Sequence, residues 1–108
     1  YTIERIKELF RKTSVFLPSI NYCPKKMIYG DGYLGYSEEA PYDSIIVTAG
    51  ASEIPEKLIN QLKIGGRMVI PVGEEVQKMK LVTKLSESAF ETKIFGDFQF
   101  VPMLKNIK

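Results

Sequence analysis

The run Ser44-Ile45-Ile46-Val47-Thr48 holds four consecutive β-branched residues with no polar residue interposed between Ile45 and Val47. An apolar run without alternation is expected of a strand covered on both faces, as in a parallel sheet. It stops at the small residues Ala49-Gly50-Ala51. Ser52 is placed to cap a helix, Pro55 suits its first turn, and Ile54, Leu58, Ile59 and Leu62 form one apolar face before Gly65-Gly66. Arg67 to Val72 then reads as a second buried strand. A strand, a helix and a strand in that order require a right-handed parallel crossover, which makes this an α/β sheet.

The flanking segments extend the pattern on both sides. Tyr1 to Glu4 reads as the end of a strand, and Ile3, Ile6, Leu9 and Phe10 recur at helical spacing, predicting an amphipathic helix to about Ser14. Pro18, Asn21 and Pro24 predict a loop over 17–26. Lys26-Met27-Ile28-Tyr29 is a short strand closed by Gly30-Asp31-Gly32. Toward the other end, Lys80 to Leu85 and Glu91 to Val101 lack a helical period, and Ser86 to Ser88 supply a turn, so they form an antiparallel pair. A dinucleotide-binding sheet of the dehydrogenase kind would continue with parallel units instead.

Composition narrows the chemistry. The chain has 108 residues, enough for one domain with one core, and a formal net charge of +2 with both signs interspersed. No single-sign block would track phosphates or an acidic bilayer, so neither nucleic acid nor membrane is an expected partner. There is no histidine, which removes imidazole-based triads and the zinc-protease helix motif. Cys23 is the only cysteine, so no internal disulfide or thiolate metal cluster can form, and a cytoplasmic location is expected. The chain opens at Tyr1 in the middle of a strand pattern, as a segment of something longer would.

Several blocks carry a family resemblance: Tyr-Thr-Ile-Glu-Arg-Ile at 1–6, Gly-Asp-Gly-Tyr-Leu-Gly-Tyr at 30–36 and Glu-Glu-Ala-Pro-Tyr-Asp at 38–43. The series then continues in order through Ile45 to Ala51, Glu53-Ile54-Pro55, Gln61-Leu62-Lys63, Gly65-Gly66-Arg67, Ile70 to Gly73 and Phe100 to Met103. Together they resemble the protein-L-isoaspartate O-methyltransferase family over nearly the whole chain, least in 14–25 and 74–95. The resemblance implies a Rossmann-like, S-adenosylmethionine-dependent methyltransferase sheet with an antiparallel C-terminal pair, here a partial domain over 1–108. It implies methyl transfer from S-adenosylmethionine to the free carboxylate of L-isoaspartyl residues in damaged proteins, the first step of their repair. Leu104 departs from the family, which often has a small polar residue there.

Ligands of open α/β sheets lie beyond the carboxyl ends of the strands, where Glu4, Asp31 and Thr48-Ala49 fall. The resemblance gives Glu4 the cofactor's ribose diol, which a carboxylate can accept through two oxygens. A carboxylate complementing the start of a helix is the plainer reading of Glu4. Asp31 could accept from an exocyclic amine such as adenine's, with Gly32 allowing close backbone approach; a simple turn is the other reading. The small residues Thr48 and Ala49 leave room for a flat cofactor or simply make a tight turn. Val101 and Pro102 resemble the lining of the peptide-substrate cleft, or form a strand end packed on Phe98 and Phe100.

The family's reaction suits a chain without histidine. An α-carboxylate with a reference pKa of about 3.3–3.9 is ionised at neutral pH and needs no general base, so no residue here is assigned a catalytic role. Family members also carry an N-terminal region, a central first strand and a glycine-rich loop that this chain does not contain. A missing N-terminal segment or a complementing chain is therefore an expected partner, and the isolated chain is expected to be inactive. A non-catalytic α/β module that binds a partner is the alternative, and a nicotinamide-nucleotide half-domain a third reading, since Glu4 suits a ribose there too.

Overall fold

In the computed structural model, which describes residues 1–108, the run around Ile45 is a strand and its parallel neighbour follows one short helix later. The chain divides into two compact units, one of residues 1–32 and 104–108, the other of residues 33–103.

In the first unit, β1 (Thr2–Glu4) and β2 (Met27–Tyr29) pair in parallel, with Glu4 opposite Tyr29. Helix α1 (Lys7–Ser19) connects them. It runs five residues beyond the expected end at Ser14, through Pro18. Proline disrupts a helix mainly by withholding its own N–H and crowding the carbonyl four residues back, and in a last turn few bonds remain to be lost. The chain leaves the helix at Asn21, whose φ is 65°. Phe10 on α1 packs near the Tyr29 ring, with centroids 6.0 Å apart, while Val15 and Phe16 face outward. The last five residues return to this unit: the Lys7 N–H donates to the Lys108 carbonyl at 2.8 Å, and the Lys108 N–H to that of Arg5 at 2.7 Å.

The second unit is a four-stranded sheet in the order β3-β4-β5-β6, made of β3 (Tyr42–Ile46), β4 (Leu62–Val72), β5 (Gln77–Ser86) and β6 (Ala89–Phe98). β3 and β4 are parallel, and the β4-β5 and β5-β6 pairs antiparallel. The expected α/β sheet with an antiparallel close is thus what this unit contains. Helix α2 is shorter than expected, Glu56–Asn60, with Pro55 rather than Ser52 at its cap. Gly65-Gly66 do not end the helix but lie inside β4. There the register jumps from Tyr42↔Leu62 to Ser44↔Arg67, so five steps of β4 face two of β3 and the excess bulges out through Gly65, at φ 84°.

The core gathers Ala51, Leu58, Ile59, Leu62, Met68, Ile70 and Val82, with Ile45 and Val47 half-buried against it. Burial of each large aliphatic side chain contributes about 1.5–3 kcal/mol. The expectation that both faces of β3 and β4 are covered is corrected. Ile46 is 76% exposed and Val69 37%, while Met68 and Ile70 are fully buried. Side chains alternate across a strand, so Ile46 and Val69 lie on the more open face, although Pro71 on that side of β4 is fully buried. β1 and β3 each have one hydrogen-bonded neighbour.

Candidate functional site

Parallel pairing brings the carboxyl ends of β1 and β2 to one edge of the first unit, where Glu4 and the Gly30-Asp31-Gly32 turn meet. The Gly30 N–H donates to the Glu4 carbonyl at 3.0 Å, so the two strand tips are joined by backbone. Glu4 Oε1 accepts the Ile6 N–H at 3.0 Å, just ahead of α1. The helix-start reading of Glu4 is therefore present in the geometry, and its fixed carboxylate is held at the strand tip by that bond. Asp31 Oδ2 accepts the Asn106 N–H at 2.9 Å, and the Arg5 Nε–H donates to the Asn106 carbonyl at 2.9 Å. The tail thus ties both tips together. That contact spans 75 residues of chain and leaves no local pattern to read.

In the second unit the small-residue turn after β3 meets the 101–103 segment. The Gly50 N–H donates to the Val101 carbonyl at 2.7 Å, the Met103 N–H returns to the Gly50 carbonyl at 2.9 Å, and Gly50 and Pro102 form a parallel bridge. Thr48 is exposed, Ala49 half-exposed, and Val101 and Pro102 exposed. So Ala49, Val101 and Pro102, assigned separately from sequence, lie around one backbone knot. The Ala51 N–H donates to Pro71 at 2.9 Å, anchoring the turn to β4.

Two buried glutamines brace this unit, and neither stands out in the sequence. Gln61 accepts the Tyr36 N–H at 2.9 Å and donates to the Leu34 carbonyl at 2.8 Å. Gln77, at the start of β5, accepts the Phe100 N–H at 2.7 Å and donates to the Glu74 carbonyl at 2.8 Å. A glutamine opening an apolar strand gives no hint that its amide is folded inward. Alternation from the buried Val82 and Lys84 would turn Gln77 outward, and the register shift between Lys78 and Lys80 intervenes.

Acidic strand tips in the two-stranded sheet and a small-residue turn in the four-stranded one are each the kind of strand end beyond which α/β proteins bind ligands. The sequence model of protein-L-isoaspartate(D-aspartate) O-methyltransferase (PCMT) matches residues 1–108, and the chain belongs to that family. Its relatives include protein-L-isoaspartate O-methyltransferases of Christiangramia forsetii, 54% identical over 98% of this chain and 50% of that protein, and Flavobacterium psychrophilum, 55% identical over the same shares. A relative from Archaeoglobus fulgidus is 46% identical over 94% of this chain and 47% of that protein. Among solved structures, a beta-aspartate methyltransferase (PCMT) from Plasmodium falciparum in complex with S-adenosyl-L-homocysteine superposes with a TM-score of 0.80 at 28% identity, over 96% of this chain and 51% of that one. A second protein-L-isoaspartate O-methyltransferase gives 0.86 at 27% identity, over 97% of this chain and 34% of that one. The chain spans about half the length of the curated relatives it matches.

Proposed function

We propose that this chain is the part of a protein-L-isoaspartate O-methyltransferase that carries the adenosine side of the cofactor site and one wall of the substrate cleft. The observation that carries the reading is the family match across residues 1–108, together with two carboxylates fixed at the carboxyl ends of adjacent parallel strands. The reaction is methylation of the free carboxylate of L-isoaspartyl residues in damaged proteins, which starts their repair, and the location is cytoplasmic.

The residues present suit S-adenosylmethionine. A ribose diol needs paired acceptors, which the Glu4 carboxylate offers, and an exocyclic amine needs one, which Asp31 offers beside Gly32, a residue without a side chain. Thr48 and Ala49 are small enough to admit a flat group. The cofactor supplies a methyl group already activated by a sulfonium charge. What the protein contributes is alignment and exclusion of water. Val101 and Pro102 contribute by holding the peptide backbone, and the acceptor carboxylate arrives ionised, so no side chain has to take a proton.

The remaining half of the site we assign to an N-terminal segment or complementing chain. Its support is the one-sided pairing of β1 and β3 and the bare apolar face at Ile46 and Val69. The test joins this chain to a segment matching the rest of its relatives' length and follows label from S-adenosylmethionine into paired isoaspartyl and aspartyl peptides. Transfer to the isoaspartyl peptide alone, with none from the chain by itself, is the expected result. Equal or no transfer by the joined protein, with no melting shift on S-adenosylhomocysteine, would sink the proposal.

A further inference from the structure

Gln77 is a buried polar side chain, only 1% exposed, and its amide reaches in two directions. Its Nε2 donates to the Glu74 carbonyl, closing the turn ahead of β5, and its Oε1 accepts from Phe100, the residue before Val101. The same amide lies flat on Gly50: a Cβ added there would stand 2.6 Å from Gln77 Cδ and Nε2 and 2.9 Å from Cγ. Gly50 in turn makes both backbone bonds that pin Val101 and Met103. One side chain therefore packs on the residue at the centre of the knot and bonds directly to the segment entering it.

We infer that Gln77 is a positioning residue for the substrate wall, setting where Val101 and Pro102 stand relative to the Ala49-Gly50 turn; this rests on the site reading proposed above. The geometry needs an amide. Glutamate has no donor for the Glu74 carbonyl and would bury a charge against it, and leucine fills the space but leaves the Phe100 N–H and the Glu74 carbonyl without partners. A side chain at position 50 would have to displace the same amide from its two bonds.

The inference is tested in two arms. In the chain alone, amide exchange at Gly50 and Met103, neither bonded to Gln77, should quicken about tenfold in both Gln77→Leu and Gly50→Ala while Met68 and Ile70 in β4 keep their protection. In the joined methyltransferase, both variants should raise KM for an isoaspartyl peptide about tenfold, with KM for S-adenosylmethionine and kcat within about twofold. Unchanged exchange at Gly50 and Met103 overturns the clamp. Faster exchange with an unmoved peptide KM, or with both KM values raised alike, reduces Gln77 to a structural residue and overturns the positioning role. A joined wild-type protein that transfers no methyl group overturns the functional reading instead, and the exchange arm then decides the clamp by itself.

Discussion

At the scale of single residues, the carboxylates at the strand tips hold backbone N–H groups of the fold, and the ligand role proposed for Glu4 has to coexist with that bond. Glu4 spends one oxygen on the Ile6 N–H, and a carboxylate can accept several bonds, so the two roles are compatible. Glu4→Gln keeps a carbonyl oxygen for Ile6 but loses the charge that strengthens a bond to a diol. It should leave the melting temperature nearly unchanged and weaken S-adenosylhomocysteine binding by the joined protein about tenfold in calorimetric titration, as expected for one charge-assisted bond worth about 1.5–3 kcal/mol. Gln61 is the contrasting case, a residue with a purely architectural place. Gln61→Ala strands the Tyr36 N–H and the Leu34 carbonyl, and chemical denaturation should show a loss of about 1–3 kcal/mol. Neither glutamine could be singled out from sequence, because Gln61 bonds to groups 25 and 27 residues away, and Gln77, besides the nearby Glu74 carbonyl, to one 23 residues away.

Among the elements, β4 shows how one strand can be read correctly as a strand and wrongly as to its surroundings. Its apolar content predicts burial on both faces, yet Arg67 and Val69 are exposed between the buried Gly66, Met68 and Ile70, and only from Ile70 to Pro71 are consecutive residues covered. The two faces should respond differently to substitution. Ile70→Ala empties a fully enclosed site and should cost about 2–5 kcal/mol, whereas Ile46→Thr on the open face of β3 should stay within about 0.5 kcal/mol in the chain alone. Thermal melts of the two variants side by side check this, and a large loss for Ile46→Thr would mean that face is covered after all. Glycine commonly ends helices, so the Gly65-Gly66 pair reads in the sequence as a helix terminator. It serves instead as a bulge, since the pairing of Tyr42 with Leu62 draws the end of α2 directly into the sheet.

For the molecule as a whole, the salient property is that β1 and β3 each have a vacant hydrogen-bonding edge. The Val47 N–H donates to Val69 at 2.9 Å, and alternation along a strand turns the Ile46 N–H to the other edge. Ile46 should therefore exchange rapidly in the chain alone while Val47 is protected, and Ile46 should become protected in the joined protein. Full protection of Ile46 in the isolated monomer would show that nothing remains to be added at that edge.

The order of strands and helices, the parallel crossover and the antiparallel close were determined by the sequence itself, because period, β-branching and turn residues act over a few neighbours. So were Glu4 and Asp31 as strand-tip carboxylates, since a strand's end is marked locally. Which face of the sheet is covered, the inward turn of Gln61 and Gln77, the tail held against Asp31, and the union of Gly50 with Val101 and Met103 were decided only by tertiary structure. Each depends on which distant backbone group is left needing a partner, and that is settled when the chain closes on itself.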